Sequence, residues 1–172
     1  MKKPTTLSYA TWNPSNIKDL SFPKNLVLKN TSWVIVGLNP SKRISFPENF
    51  HMGKFDKWHS LAFIHNEIEG ASMLDLIDEV DLNSKNIIKK WKVNNNWRKK
   101  QIARFIAEIE FLFKKDKPNL LCIGKNASEL ILKGKGIIRL FSRMHVVSNP
   151  NGVRVKGAQQ EYVKMVNKCA DN

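Results

Sequence analysis

Short apolar runs closed by polar turns alternate along this chain with stretches whose apolar residues recur every three or four positions. Residues 33–38 (WVIVGL) are apolar and β-branched and end at Asn39-Pro40, the pattern of a strand buried on both faces. Residues 70–77 (GASMLDLI), 120–124 (LLCIG) and 145–148 (HVVS) read as three more strands. Over 98–114, Ile102, Phe105, Ile106, Ile109, Leu112 and Phe113 keep the i, i+3, i+4 spacing of an amphipathic helix, and Pro118 lies beyond its end. Asn126 with Glu129 three residues later predicts a capping box that starts a helix after the third strand. Ala158, Tyr162, Met165, Val166 and Cys169 form the stripe of a last helix. Residues 83–91 predict another helix and 50–66 a partly helical stretch. Residues 1–30, with Pro4, Pro14 and Pro23 and little periodicity, predict an irregular arm or a short helix laid over the domain.

Strands alternating with helices predict an α/β fold of three layers, α/β/α, around a small, mainly four-stranded parallel sheet. The 172 residues suit a single domain over 1–172. In such a sheet ligands bind outside the carboxyl ends of the strands. That edge would collect the turn at 37–41, Asp75, the turn at 124–126 and the turn at 149–154.

Charge adds a partner class. Lys and Arg number 29 against 15 Asp and Glu, a formal +14, which suits a polyanion because phosphate contacts release counterions. A basic, well-solvated surface is the plainer alternative. Cys122 and Cys169 are the only cysteines, too few for a disulfide framework or a cysteine-rich metal centre, and fit a reducing compartment. The first residues lack a signal-peptide core and no run of apolar residues is long enough to span a bilayer. A cytoplasmic monomer away from membranes is expected, nucleoid-associated if the source is bacterial.

The chemistry-bearing candidates cluster in two turns of one form, WVIVGLNPS at 33–41 and MHVVSNPNG at 144–152. The ordered set of GLNPS after the first strand, GASMLDLI, PNLLCIGKNA and VVSNPNG after the last strand resembles the uracil-DNA glycosylase superfamily over about residues 33–165. The nearest pattern is its mismatch-specific branch, whose first turn carries Gly-x-Asn-Pro and whose last carries Asn-Pro-Ser-Gly-Leu. The stretch NFHMGKFDKWHSLAF also resembles small bacterial members of unassigned activity.

The resemblance implies monofunctional hydrolysis of the N-glycosidic bond of a deaminated or mismatched base, flipped out of the duplex, with no cofactor or metal. It places Asn39 on the attacking water. An amide has no useful basicity, so it orients that water without acting as a strong base. Asn149 would donate to the base carbonyl as negative charge grows there. Gly37, Leu38, Pro40 and Ser41 would shape the base pocket, Phe50 stack on the base with Phe46 as its rival, and Asp75 read the base edge. Asn151, Gly152, Val153 and Arg154 would enter the groove, and Lys125 would meet the DNA backbone. Two departures stand out: Ser41 where the mismatch-specific branch has Gly, and Asp75 where the uracil-specific branch has Asn. An ionised aspartate accepts hydrogen bonds but donates none, so it would read uracil poorly and suit a base with N–H donors.

Other residues have plainer readings beside sharper ones. His51, Lys54, Asp56 and His59 form either an acid/base or metal cluster or the polar side of a pocket-covering segment. His145 reads as structural. Trp91 and Trp97 around KVNNN, followed by Arg98, Lys99 and Lys100, either grip nucleic acid or staple a loop to the core. Two further functions stay open: a nucleic-acid-binding protein of this fold without chemistry, and an enzyme acting on free nucleotides or nucleosides.

Overall fold

In the computed structural model the described residues are 6–10, 30–41, 56–149 and 157–171. The strands are β1 (Ser8–Tyr9), β2 (Asn30–Gly37), β3 (Ala71–Asp75), β4 (Asn119–Ile123) and β5 (Met144–Val147). The helices are α1 (Asp56–Phe63), α2 (Ser84–Val93), α3 (Asn95–Phe113), α4 (Lys125–Lys133) and α5 (Ala158–Ala170), with one turn of 3-10 helix at Ile138–Leu140.

Alternation along the strands divides the core. Val34 and Val36 of β2, Leu74 of β3 and Leu120 and Cys122 of β4 join a cluster with α2, α3 and α4, through Ile87, Trp91, Phe105, Ile109 and Ile131. Trp33, Ile35, Met73, Leu121, Ile123 and Val147 join a second cluster with α1 and α5, through Phe63, Tyr162 and Val166. Successive side chains of a strand point to opposite faces, so helices cover both sides of the sheet. The runs read as continuous apolar stretches because both faces are buried.

The sheet has five strands in the order β1-β3-β2-β4-β5, and β1 is antiparallel to β3 while the other pairs are parallel. The expected four-stranded parallel sheet is therefore corrected to a five-stranded mixed one. The extra strand comes from the stretch expected to be irregular. Ser8 pairs with Met73 and Tyr9 with Ser72, and Ala10 donates to the Ala71 carbonyl at 2.8 Å. Two paired residues are too few to show period-two alternation, so β1 left no signal, yet it covers the open edge of β3.

Helix starts depart from expectation for local reasons. α4 begins at Lys125 behind Gly124, whose φ of +91° and ψ of 146° belong to glycine, and no side chain caps it. The expected Asn126–Glu129 capping box does not form; Asn126 sits inside the helix, and Glu129 faces Lys125 and Lys133 at 3.7 and 3.9 Å. α3 begins earlier than expected because Asn94 accepts from the Trp97 N–H at 3.0 Å and caps it.

Candidate active site

The chain order of the sheet reverses at β2. From β2 the chain crosses to β3 on one side, then returns past β2 to β4 on the other, so the switch point lies between the carboxyl ends of β2 and β4. Open α/β sheets bind ligands in the crevice at that point. The residues leaving β2 there are Leu38, Asn39, Pro40 and Ser41, and those leaving β4 are Gly124 and Lys125.

On the β2 side, two chains run on together beyond the sheet. Gly37 is the Cα partner of Asp75, and the N–H groups of Leu76 and Ile77 then donate to the carbonyls of Gly37 and Leu38, each at 3.0 Å. The Asp81 N–H donates to Pro40 at 3.2 Å. Asn39 locks this arrangement: its Nδ2 donates to the carbonyls of Asp81 at 2.9 Å, Pro40 at 3.1 Å and Glu79 at 3.4 Å. With the amide nitrogen so engaged, Oδ1 is the atom of Asn39 left to accept a hydrogen bond from a ligand or water. Leu38 is half-buried against the α2–α3 cluster, Pro40 is buried and Ser41 is exposed.

Asp75 is completely buried at the end of β3, and among the described residues neither carboxyl oxygen has a hydrogen-bond partner. Its backbone is fully engaged: the N–H donates to Thr6 Oγ1 at 3.0 Å, and the carbonyl accepts from Arg104 Nη2 at 3.0 Å. Arg104 Nη2 also donates to the Leu76 carbonyl at 2.7 Å, and Nη1 pairs with Glu108. The guanidinium therefore holds the backbone and Glu108, not the Asp75 carboxyl. Burial pushes the Asp75 carboxyl up to about 8; nearby Arg104 pulls it down and Glu108 adds a smaller push upward. At neutral pH Asp75 holds a proton. Its expected role as an acceptor assumed the ionised form, which this environment disfavours.

On the β4 side, the Gly124 N–H donates to the Val147 carbonyl at 2.7 Å, and a Cβ on Gly124 would lie 3.4 Å from Cβ of Asn149. The exposed Asn149 thus sits against the Gly124 turn. Lys125 opens α4 with its side chain 87% exposed, beyond any strong hold by Glu129. β4 lies between β2 and β5, so strand spacing puts the Asn39 and Asn149 turns about 10 Å apart.

No protein-family model and no curated protein sequence matches this chain.

The structure thus brings Gly37, Leu38, Asn39, Pro40, Ser41, Asp75, Lys125 and Asn149 to one edge of the sheet. Phe50, Asn151, Gly152, Val153 and Arg154 lie outside the described residues, as do Phe46, His51 and Lys54. His59 is buried between α1 and α5, with Nδ1 2.8 Å from Tyr162 Oη and its ring stacked on Phe63. His145 lies against Trp33, ring centroids 5.3 Å apart, and burial lowers its pKa, as does nearby Arg143. Among the described residues no three His, Cys, Asp or Glu side chains group to hold a metal, and no helix is long and apolar enough to cross a membrane.

Both tryptophans of the basic corner pack against the core, while Lys99 and Lys100 are exposed. Trp91 is buried, Trp97 packs on the same cluster, and Lys90 Nζ lies 4.7 Å from the Trp97 ring centroid. Arg98 donates to the Trp91 carbonyl at 3.1 Å and to Asn95 at 2.8 Å, so it serves the C-terminal carbonyls of α2. A cleft of about 850 Å³ opens at the opposite, amino end of the sheet, lined by Trp33, His65, Asn119, Arg143 and Asp171 among others. It shares no residue with the edge that carries the turns.

Sequence reasoning missed Arg104, Glu108 and Gln101. The readable signal was a Gln and a Glu on the buried stripe of α3, at positions 101 and 108 beside Phe105 and Ile109. Charged residues are rarely buried unless they have a partner. Arg104, four residues before Glu108, is that partner.

Proposed function

We propose that the chain is a DNA glycosylase-like protein of the uracil-DNA glycosylase superfamily, a monofunctional hydrolase of the bond to a deaminated or mismatched base. The observation that carries this reading is that the Asn39 turn and the Gly124–Asn149 turn flank the switch point, with the buried Asp75 carboxyl at the same carboxyl edge of the sheet, at the end of β3. A sugar and base fit the roughly 10 Å between the two turns.

In this reading the Asn39 Oδ1 accepts a hydrogen bond from water and aims its lone pair at C1′ of a flipped nucleotide. The C1′–N bond breaks with its electron pair passing to the base, and Asn149 donates to a base carbonyl as that charge develops. The water proton passes to solvent. An amide positions water without ionising it, so turnover is slow. In this reading water and not an amine attacks, so the strand is left uncut. Lys125 and the general excess of basic residues supply phosphate contacts, single- or double-stranded. The working compartment is the cytoplasm, with its nucleic acid.

The test is incubation with labelled oligonucleotides carrying uracil, hypoxanthine, xanthine or a G·T mismatch, followed by alkali to cut abasic sites. Cleavage after alkali alone supports the reading; no product from any substrate at high protein excess overturns it. A specific observation favours a second reading, binding without chemistry: Asn39 spends its amide nitrogen on three backbone carbonyls, a structural duty. Asn39→Ala separates the two, since both proteins would bind DNA but only a wild-type enzyme would release base.

A further inference from the structure

Asp75 combines three features that seldom occur together. It is fully buried, both carboxyl oxygens lack a partner among the described residues, and it stands at the end of β3 on the carboxyl edge of the sheet, the edge where open α/β sheets bind ligands. Leaving a buried polar group unsatisfied is costly, and such groups are few in folded proteins. The neighbouring position on β2 is Gly37, so no side chain of that strand stands beside the carboxyl on its face of the sheet.

We propose that Asp75 is a specificity-determining residue that acts as a neutral carboxylic acid, donating one hydrogen bond and accepting another from a ligand edge that carries one acceptor beside one donor. The lactam edge of uracil or hypoxanthine, a ring carbonyl next to a ring N–H, has that form. A carboxylate would select the opposite class, an edge with two adjacent donors such as the N1–H and amino group of guanine. The inference rests on the base-binding reading of this edge, but not on catalysis.

The surrounding charges favour the neutral form. Arg104 favours the ionised form, but its Nη1 and Nη2 are committed to Glu108 and to the carbonyls of Asp75 and Leu76. Glu108 on α3 adds negative charge near the carboxyl, and Asp78 lies 3.7 Å from Arg104 Nε. On the β1 side Thr6 contributes a neutral hydroxyl. On the opposite helical layer His59 and Tyr162 bond to each other. Burial in this setting raises the carboxyl to about 8, so the proton is present at pH 7 and lost in mild alkali.

Free uracil, hypoxanthine and guanine serve as probes, titrated by ligand-observed NMR against wild type, Asp75→Asn and Asp75→Leu at pH 6 to 9. An amide also offers one donor and one acceptor, so Asp75→Asn should retain uracil and hypoxanthine binding at pH 7 while Asp75→Leu loses it. Above about pH 8 wild-type affinity should fall by about tenfold per pH unit relative to Asp75→Asn, which reports the titration of the base itself. Preference of wild type for guanine, loss of binding in Asp75→Asn, or parallel wild-type and Asp75→Asn profiles to pH 9 would each overturn the proposal, as would no binding of any base. Base binding with this profile but no release of base from any oligonucleotide upholds the proposal and removes only the glycosylase activity. The carboxyl carbon shift of Asp75 in aspartate-labelled protein gives the protonation state without a ligand; an ionised signal at pH 6.5 defeats the idea outright.

Discussion

The amide nitrogen of Asn39 stands 2.9 Å from the backbone carbonyl of Asp81, tying the turn after β2 to the loop after β3. The same nitrogen reaches Glu79 and Pro40, and Asp81 returns a bond from its N–H to Pro40. Asp81 in turn accepts from the Asn83 N–H at 2.7 Å and from Asn86 at 3.1 Å, where α2 begins. One side chain therefore sets the geometry of the whole β2 side of the edge.

Asn39→Ala should destabilise the fold by about 1–2 kcal/mol, the usual cost when half-buried carbonyls lose their donor. Asn39→Asp should cost more, because a carboxylate donates nothing and would face the same carbonyls. Urea unfolding measures both. Equal midpoints for wild type and Asn39→Ala would show that the brace carries no energy.

Gly124 predicts a contrast with another glycine. At φ +91° and ψ 146° Gly124→Ala should cost about 1–3 kcal/mol in backbone strain, and the new Cβ would press on Asn149 at 3.4 Å. Gly157 has φ +88° and ψ −6°, the left-handed region that other residues enter at smaller cost, with nothing within 4 Å of its Cβ position. Thermal unfolding should rank Gly124→Ala below Gly157→Ala, and DNA binding should fall only for Gly124→Ala. Matching losses in both assays would deny the Gly124 turn any special place.

The sequence announced elements whose signal is local and hid those set by distant partners. The runs at Val34–Val36 and Leu120–Cys122 were legible because burial on both faces leaves no polar position to interrupt them. Phe105 and Ile109 were legible because the helical stripe is long. Ser8–Tyr9 was not, since its pairing is decided by the open edge of β3, more than sixty positions away. The same rule holds for the turns: strand ends could be listed from sequence, so Asn39 and Asn149 were placed at the carboxyl edge of the sheet. That the Asn39 amide is spent on Glu79 and Asp81, or that the Asp75 carboxyl lacks partners among the described residues, depends on packing across the sheet.

Asp75 makes stability fall with rising pH. An unfolded aspartate ionises near 3.8, whereas the folded one ionises near 8, so between these values the native state holds one proton more than the unfolded state. Stability contributed by that proton is whole below about pH 4, declines by up to roughly 1.4 kcal/mol per pH unit across the window, and is gone above about pH 8. Asp75→Asn, neutral throughout, should flatten the profile and be more stable than wild type at pH 8. Urea midpoints at pH 5, 6.5 and 8 read this directly; parallel profiles for the two proteins would mean that Asp75 is ionised in the native state.

Arg104 and Glu108 form the remaining support of the edge. The pair is 15% and 6% exposed, and Arg104 holds the carbonyls of Asp75 and Leu76. Removing one member of a buried pair leaves an uncompensated charge, so Arg104→Met should cost about 3–5 kcal/mol. Part of that loss is the charge of the Glu108 carboxylate no longer offset by the guanidinium, which Glu108→Gln would neutralise. The double variant Arg104→Met with Glu108→Gln should therefore be more stable than Arg104→Met alone, with a coupling energy of about 1–3 kcal/mol in a double-mutant cycle. Stability and function then part company: the double variant still lacks the guanidinium that fixes the end of β3. Its affinity for base should stay as low as that of Arg104→Met even where its stability is recovered. Recovery of both together would mean that Arg104 serves only to balance Glu108, and that β3 keeps Asp75 in place without it.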